Sequence, residues 1–383
     1  MIDYSIRNLP QIMEKLYKKL RIAVVYSGNK DDAGAVIYKT HNPRSWKSYE
    51  KVAYDIQETL SEIGFQNIAV IPDDMNLFDN LRKQRIDLVW LNTGGVQGYS
   101  PMSHAPAMLE MSGIPYVGHH PVNAAKLDNK YAFKLECQGC GIPTAPFMAW
   151  NGAREMFMPR KNKLFKFSFG GYKGPFVVKP VSGRASLLVS VVDSIDELPE
   201  AIDEIYQKTL NTVLIEKYLA GREFCIAVCG NVFYENGDFV YQRLPFAFSP
   251  IERILTEDER IFTSMDKKPI TGERAKLMDP AEDASIIAKL KGLGQTVYLD
   301  LAVESLIRLD IRADEKGNLF VLETNPKPDL KKPSETVTNL ICIGLAEHDL
   351  VYNDLIRLVF ANTLHQLFSQ KKHLIGHIIE LIG

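Results

Sequence analysis

The sequence predicts an α/β protein that begins with an open parallel sheet and continues with units built from returning strand pairs. Short aliphatic runs alternate with helical segments over residues 18–123, which is the pattern of a parallel α/β domain. From about residue 126 onwards, strands return on themselves after loops of small residues. The length of 383 residues is enough for two or three units with sizeable cores.

The elements of the N-terminal sheet follow one another in order. A first strand ends in Ser-Gly, and the helical segment after it stops at Gly64. Gly94 and Gly95 turn a later strand into a loop, at the edge where doubly wound sheets bind ligands. The predicted strands are "LRIAVVYSG", "NIAVIPDD", "IDLVWLNTGG" and "IPYVGHH", with helices in "SWKSYEKVAYDIQETLSEIG" and "PAMLEMSG".

The rest of the chain divides into two further predicted units. A helix, an extended segment and the strands of "GPFVVKPVSGRASLLVSVV" form a small central unit, and a strand pair, a hairpin and a closing helix follow. The polar stretch 245–280 has too little periodicity for a core element, so we predict a mobile loop there. The predicted units are 1–123, 124–212 and 213–383.

Composition and charge exclude several classes of protein. A net charge of -2 gives no nucleic-acid footprint, and no apolar run has the length of a membrane span. The start "MIDYSIRNLP" lacks a signal-peptide layout, which makes a cytoplasmic location the expectation. Five cysteines argue against a disulfide framework, and "CQGC" lacks a second ligand pair, so we interpret Cys137 and Cys140 as ordinary thiols.

The strands of "LIRLDIRADEKGNLFVLETNPKPDL" carry charged residues at alternate positions. Arg308 and Asp310 share one face of the first strand, and Glu323 and Asn325 share one face of the second. Because "DEKGN" predicts a turn, a hairpin gathers these four side chains. Two interpretations are open on these residues alone. Either the oxygens bind Mg²⁺, or arginines neutralise the acids in a structural ion-pair cluster.

Upstream residues favour the first interpretation. Lys179 interrupts the buried strand "FVVKP" and therefore needs an anion or another partner. The following loop, "VSGRAS", can bring backbone N–H groups close to a phosphate. Glu216 ends a strand and Glu223 begins the next, where acids can accept hydrogen bonds from an adenine amino group or a ribose. The alternative for these acids is a solvated strand edge.

Taken together, these segments resemble the ATP-grasp superfamily, and within it the D-alanine–D-alanine ligase group. The resemblance covers most of the chain, from about Leu20 to the final helix. It implies an ATP-grasp fold preceded by an open parallel α/β domain. The motifs that carry it are "LDNKYAFK", "GPFVVKP", "VLIEKYLAGREF" and "RLDIRADEKGNLFVLETNP".

The resemblance implies a role for each matching residue. It assigns ATP phosphates to Lys130 and Lys179, and a substrate carboxylate to Ser334. Arg308 matches the arginine that stabilises the transition state. The implied nucleotide contacts are Glu216, Lys217, Leu219 and Glu223, and the implied Mg²⁺ ligands are Asp310, Glu323 and Asn325. ATP and Mg²⁺ are the implied cofactors, with a pair of metal ions for which Mn²⁺ can substitute.

The resemblance also implies a reaction. A carboxylate attacks the γ-phosphate of ATP to give an acylphosphate, and an amine then displaces phosphate. Positioning and charge neutralisation provide most of the catalysis in such chemistry. Relatives are often homodimers, which makes a dimer the expectation by analogy.

Departures from the family pattern concern the substrates. The family's acid that holds the ammonium of the first D-alanine has no clear match in "SGNKDDAGAVIYKTHNPRSW", and Asp329 replaces a glycine. The expected Tyr-Lys pair of the mobile loop is absent, although Lys267 or Lys268 can replace its lysine. We therefore predict a ligase that does not make D-Ala-D-Ala. His104, near the switch-point loops, is a candidate substrate contact or an ordinary histidine.

Three alternatives remain open. The chain also resembles mycosporine-type ligases of specialised metabolism, in which an amino acid displaces an activated enol-type oxygen of the acceptor. An ATP-grasp small-molecule kinase would stop after phosphorylating its acceptor. A non-catalytic nucleotide-binding protein would not require Arg308 and the full set of magnesium ligands.

Overall fold

The computed structural model describes residues 8–40, 46–183, 187–235, 237–257, 259–262, 271–334, 338–371 and 374–383. Within these residues the chain forms a parallel sheet, two larger antiparallel sheets and a separate two-stranded ribbon. Among the described helices, none combines the length and the apolar composition that a membrane span requires.

The N-terminal sheet is parallel, as predicted, with the strand order β2-β1-β3-β4. Its strands read as aliphatic runs because helices cover them, and β1 is buried along most of its length. The second helix ends at Gly64, as predicted, where φ is 130°. The elements are α1 (Leu9–Tyr17), β1 (Arg21–Ser27), α2 (Glu50–Ile63), β2 (Asn67–Asp73), α3 (Leu77–Lys83), β3 (Leu88–Asn92), α4 (His104–Ser112), β4 (Tyr116–Val117) and α5 (Pro121–Asp128).

The central sheet is antiparallel and has the order β5-β8-β6-β7. The predicted boundary between residues 212 and 213 assigned β8 to the C-terminal unit, but β8 pairs with β5 and β6. Its hydrogen bonds therefore hold it in the central sheet. The elements are α6 (Lys130–Gly139), β5 (Phe147–Trp150), α7 (Lys163–Phe169), β6 (Phe176–Pro180), β7 (Ser190–Val192), α8 (Leu198–Thr209) and β8 (Val213–Lys217).

The C-terminal sheet has the order β13-β12-β9-β14-β15, and β10 pairs with β11 separately. The predicted closing helix is present as α10, whereas the 21-residue helix α9 was not predicted. The elements are β9 (Glu223–Val228), β10 (Val232–Glu235), β11 (Asp238–Tyr241), β12 (Ile251–Arg253), β13 (Ala275–Leu277), α9 (Pro280–Asp300), β14 (Ile307–Ala313), β15 (Leu319–Asn325), α10 (Tyr352–Ser369) and α11 (Gly376–Ile382).

The expectation that 245–280 contains no core element was wrong. The strands β12 and β13 lie in this stretch, and β12 pairs with β9 next to the hairpin strands. Ile251 is buried in a small apolar cluster, which anchors β12 to the sheet. Lys267 and Lys268, the candidate replacements for the family lysine, lie outside the described residues.

The predicted hairpin is formed by β14 and β15. Gly317 occupies the turn with a φ of 80°, a conformation that favours glycine. Arg308 lies opposite Asn325, and Asp310 lies opposite Glu323. The register shifts after Asp310, and both Leu322 and Glu323 line the cavity described below.

Candidate functional site

A cavity of about 520 Å³ brings together side chains from both antiparallel sheets and from the N-terminal unit. Its lining contains most of the residues that were predicted from the sequence as site residues. Those that line it are Lys130, Lys179, Glu216, Lys217, Leu219, Glu223, Arg308, Asp310, Glu323, Asn325 and Asp329. The strand alternation of "RLDIR" and the hairpin register explain why residues distant in sequence share this space.

The two carboxylates of the hairpin are both neutralised by cations. Asp310 accepts a hydrogen bond from Arg308 Nε at 3.1 Å and another from Arg253 Nη1 at 3.1 Å. Glu323 Oε2 lies 3.5 Å from Lys179 Nζ and 3.8 Å from Lys130 Nζ. The structure therefore contains the ion-pair contacts that are expected of a structural ion-pair cluster.

Neighbouring cations keep the carboxyl group of Glu323 ionised. Burial alone would raise the pKa of its carboxyl, but the surrounding cations outweigh burial and lower that pKa to about 2. The carboxylate is therefore ionised at neutral pH. The cations that act on it are Lys130, Lys179, Arg253 and Arg308.

A buried ion triad lies below the hairpin. Glu216 is only 2% exposed, and its two carboxylate oxygens lie 2.6 Å from Lys134 Nζ and 2.6 Å from Lys179 Nζ. Burial raises the pKa of Glu216, but the two lysines outweigh it and the net shift is downward. Burial dominates at Lys134 and lowers its pKa. Glu216 is therefore a partner of buried lysines in this structure and not a solvated strand edge.

Arg253 is a site residue that the sequence did not reveal. It is 8% exposed, and its guanidinium lies 2.6 Å from Glu223 and 3.1 Å from Asp310. Arg312 provides a second cation for Glu223, at 3.2 Å. Arg253 was missed because β12 has only three residues, which is too short for a periodic pattern to be recognised.

The hairpin offers oxygen donors that fit a hard divalent cation. Two carboxylates and one side-chain amide suit Mg²⁺, which usually completes its coordination with water and substrate phosphates. The amide nitrogen of Asn325 is buried without a hydrogen-bond partner, so it can donate to an acceptor such as a phosphate oxygen, while the amide oxygen is the atom that would bind a cation. Within the described part of the chain, no cluster of three or more His, Cys, Asp or Glu side chains could hold a metal alone.

Two predicted substrate residues do not line this cavity. Ser334 is exposed and precedes residues 335–337, which lie outside the described part of the chain. His104 begins α4, and its ring lies close to Gly98. Burial lowers the pKa of His104. Ser334 and His104 are therefore not among the cavity-lining residues around the β14–β15 hairpin.

The N-terminal unit closes one side of the cavity with residues that were not predicted from the sequence. Trp46, Lys47 and Tyr49 line it, together with Lys327 from the segment after β15. The ammonium of Lys327 lies 3.3 Å from the centre of the Tyr49 ring. Aromatic rings and lysines in a loop gave no periodic signal from which this position could be inferred.

The motif "CQGC" does not form part of this cavity. Cys137 is buried in the core beneath the C-terminal sheet, and burial raises the pKa of its thiol to about 12. A reactive cysteine needs a lowered pKa, so this environment is that of a structural thiol. Cys140 is exposed.

Comparison with known proteins supports the architecture. The model of the family "D-ala D-ala ligase C-terminus" matches residues 137–357. An uncharacterized protein from Sinorhizobium fredii is 26% identical in an alignment of 318 positions that covers 81% of this chain and 87% of that protein.

Solved structures of ligases share the fold. D-alanine–D-alanine ligase from Bacillus anthracis, complexed with ATP, has a TM-score of 0.64 and 20% identity over 90% of this chain and 97% of that one. The enzyme from Coxiella burnetii has a TM-score of 0.64 and 17% identity over 94% of this chain and 99% of that one. VanG D-Ala:D-Ser ligase from Enterococcus faecalis has a TM-score of 0.62 and 16% identity over 90% and 99%, respectively. The ATP-grasp fold expected from the sequence is confirmed.

Proposed function

Because this chain belongs to the D-Ala–D-Ala ligase C-terminal family, we propose that it is an ATP- and Mg²⁺-dependent ligase that joins an amine to an acyl-type acceptor. The amine is an amino acid or a related compound, and the acceptor passes through a phosphorylated intermediate. The observation that carries this proposal is the convergence of the hairpin acids with Lys130 and Lys179 in one cavity.

The lysines of the cavity would bind the ATP phosphates. Lys179 is almost fully buried, and its pKa is raised because Glu216 and Glu323 outweigh the effect of burial. It therefore stays protonated and can neutralise phosphate charge. Lys130 Nζ is held by the carbonyl of Gly183 at 3.1 Å, which fixes the ammonium at the mouth of the small-residue loop.

The adenosine part of ATP would lie against the end of β8. Lys217 and Leu219 line the cavity there, and Glu223 follows at the start of β9. Glu223 is 5% exposed and paired with two arginines, so a ribose hydroxyl would donate to a carboxylate whose position is already fixed. Glu216 would support this site by holding Lys179 in place.

Asp310, Glu323 and Asn325 would hold Mg²⁺. A bound Mg²⁺ offsets negative charge on phosphate oxygens. Before any cation binds, Arg253, Arg308, Lys130 and Lys179 neutralise the two acids. Arg253 and Arg308 hold Asp310 in a fixed orientation, so the carboxylate is ready without a large rearrangement.

Arg308 would act on the reacting groups. Its guanidinium is largely buried and stays protonated, since the charge of Asp310 outweighs burial and raises the pKa. A fixed cation in a low-dielectric cavity stabilises the charge that develops during phosphoryl transfer and on the tetrahedral oxyanion. Arg308 is thus the proposed catalytic residue, and it needs no proton transfer for this role.

The substrates differ from those of D-Ala-D-Ala synthesis in this proposal. Asp329 introduces a carboxylate into the cavity where the family pattern has glycine. Its Oδ1 accepts a hydrogen bond from the Lys331 backbone N–H at 3.1 Å, which orients the side chain. We keep Ser334 and His104 as proposed substrate contacts and a homodimer as the proposed assembly.

The direct test measures ATP consumption and product mass together. Purified protein, Mg²⁺ and ATP are incubated with pools of amino acids and carboxylate or enol acceptors. A condensed product with ADP and phosphate is the expected result. A phosphorylated acceptor without condensation would replace the ligase with a kinase, and a Mg²⁺-independent reaction would contradict the metal role.

A further inference from the structure

The cavity wall formed by Trp46, Lys47, Tyr49 and Lys327, here called the Tyr49 wall, has a definite chemical character. Trp46 donates its indole N–H to the Gly28 carbonyl at 2.7 Å, which fixes the ring while leaving it 42% exposed. The ammonium groups of Lys47 and Lys327 lie 5.7 Å and 3.3 Å from the centre of the Tyr49 ring. Two cations therefore converge on one aromatic ring.

Tyr49 is held in its position by several contacts. Its φ of 59° lies in the left-handed region, which is unfavourable for a residue with a bulky side chain. The Asn92 side-chain amide donates to the Tyr49 carbonyl at 3.0 Å, and Ala53 N–H donates to the same oxygen. A residue keeps a strained backbone conformation where the surrounding structure holds it there, and such residues concentrate at functional sites.

Asn92 also connects the wall to the segment after the hairpin. Its Oδ1 accepts from Lys327 Nζ at 3.5 Å, while its amide nitrogen holds Tyr49. Asn92 is buried at the C-terminal end of β3, the edge where ligands bind in open α/β sheets. The Tyr49 wall is therefore formed by residues of the N-terminal unit together with the segment after the hairpin.

The part of the wall that comes from the N-terminal unit carries a cation and no acid. Among the described residues of 8–123, the cavity lining consists of Trp46, Lys47 and Tyr49, none of them acidic. The sequence 38–49, "YKTHNPRSWKSY", contains no Asp or Glu. Asp329, from the same segment as Lys327, is an acid that also lines the cavity.

We infer that the Tyr49 wall recognises a substrate that carries a carboxylate on a planar apolar group. The carboxylate would pair with Lys47 and Lys327, and the planar group would lie against Trp46 or Tyr49. This inference rests on the proposed function, because it concerns the acceptor that accompanies ATP in the same cavity. The inferred substrate class is defined by a negative charge and a planar apolar group.

Ligand-observed saturation-transfer NMR with a matched pair of probes tests this inference. Benzoate and benzylamine share a ring and differ in the sign of their charge. Each is added to protein loaded with Mg²⁺ and a non-hydrolysable ATP analogue, whose binding is measured first by calorimetry. Benzoate is expected to show transfer and benzylamine is not. Transfer to benzylamine alone, or to neither probe, would overturn the inference.

Substitutions of single lysines test whether benzoate binds at the Tyr49 wall. We expect Lys327→Met to weaken benzoate binding about tenfold or more, because hydrogen bonds to charged groups are among the stronger polar contacts. Lys316→Met, at an exposed lysine in the hairpin turn, is the matched control and should bind benzoate like the original protein. Equal binding by both variants would overturn the role of the wall. Lys327→Glu should reverse the preference towards benzylamine.

Calorimetry distinguishes a failure of the Tyr49 wall from a failure of the proposed nucleotide site. If the ATP analogue binds and benzoate does not, the Tyr49 wall has been misinterpreted and the proposed nucleotide site stands. If the ATP analogue itself fails to bind, the proposed function fails, and the substrate inference falls with it.

Discussion

Glu216 illustrates how a single buried carboxylate can organise the cavity floor. Its two oxygens satisfy two lysines, one of them, Lys134, with no exposed side-chain surface. Removing one member of a buried ion group costs stability to the extent that it leaves a partner's charge uncompensated, and only replacement of the whole group by apolar residues can be nearly neutral. Glu216 is the shared anion of both lysines, whereas loss of Lys134 leaves Glu216 paired with Lys179. The three members of the triad therefore contribute unequally to stability.

We expect Glu216→Gln to lower the free energy of unfolding by about 3–5 kcal/mol, because it leaves Lys134 and Lys179 without their shared anion. Lys134→Met should cost clearly less than Glu216→Gln, since Glu216 keeps Lys179 as a partner and Thr144 keeps its bond to the Val321 carbonyl. Urea unfolding followed by circular dichroism measures both. Equal destabilisation by the two variants would contradict this account.

Glu323 gives the sharpest test of the metal assignment. We expect Glu323→Gln to weaken Mn²⁺ binding to the nucleotide-loaded protein by at least about tenfold, because affinity for hard cations follows the charge of the ligand set. Electron paramagnetic resonance measures the free Mn²⁺. Glu315→Gln removes an equal charge from the exposed hairpin turn and is the control. A Glu323→Gln affinity like that of the control would remove Glu323 from the metal site.

Individual residues were predictable from sequence where a charge interrupted an apolar pattern. Lys179 in "FVVKP" and Asp310 in "RLDIR" were recognisable because a buried charge needs a partner. The actual partners were not predictable. Arg253 reaches Asp310, and Lys134 reaches Glu216, the carboxylate that also pairs with Lys179. Both cations come from elements whose position depends on tertiary packing, which alternation within one strand cannot reveal.

At the scale of elements, the ends of β1, β2 and β3 meet in a buried polar cluster below the Gly94–Gly95 loop. Asp73 accepts a hydrogen bond from Thr93 Oγ1 at 2.7 Å, and the Gly94 N–H donates to Ser27 Oγ at 2.7 Å. Burial raises the pKa of Asp73 from 3.8 to about 6, and it outweighs the opposing hydrogen bond from Thr93. The strand ends therefore hold a carboxyl that titrates in a mildly acidic range.

This raised pKa makes the stability contribution of Asp73 depend on pH. The folded protein keeps the proton up to about pH 6, whereas the unfolded chain loses it near pH 4, so stability falls between these values as pH rises. Asp73→Asn removes the effect. We expect the stability of this variant relative to the original protein to rise by roughly 2 kcal/mol between pH 4 and pH 7.

Urea unfolding at both pH values measures this difference. Asp79→Asn, at an exposed position on α3, is the control and should show no comparable change. A relative stability of Asp73→Asn that stays constant between pH 4 and pH 7 would show that Asp73 titrates normally.

Element prediction succeeded where burial produced long periodic runs and failed where it did not. The parallel strands and α2 were readable from hydrophobic spacing. The strand β12 was not, because three residues in a polar stretch carry no periodic signal and depend on pairing with β9. The shift after Asp310 was equally hidden, since strict alternation assumes an unbroken register.

At the scale of the whole molecule, the ends of the chain share one core. Residues of α1, β1 and α2 pack in the same apolar cluster as α10 and α11, and the rings of Phe65 and Phe360 lie 4.8 Å apart. The central sheet has its own cluster, which contains only residues from 148 to 215 among its buried members. Packing thus couples the N-terminal sheet to the C-terminal helices more closely than to the sequence that follows it.

This arrangement predicts which parts of the molecule lose protection together. Phe360→Ala should cost about 3–5 kcal/mol and lower hydrogen-exchange protection in both β1 and α10, because its fully buried ring supports their shared core. Phe165→Ala is the matched control and should act mainly on β6 and β8, since Phe165 packs within the central cluster. Exchange measured by mass spectrometry distinguishes these regions. If β1 keeps its protection in Phe360→Ala, the N-terminal sheet is an independent unit, and the shared core does not couple the two ends of the chain.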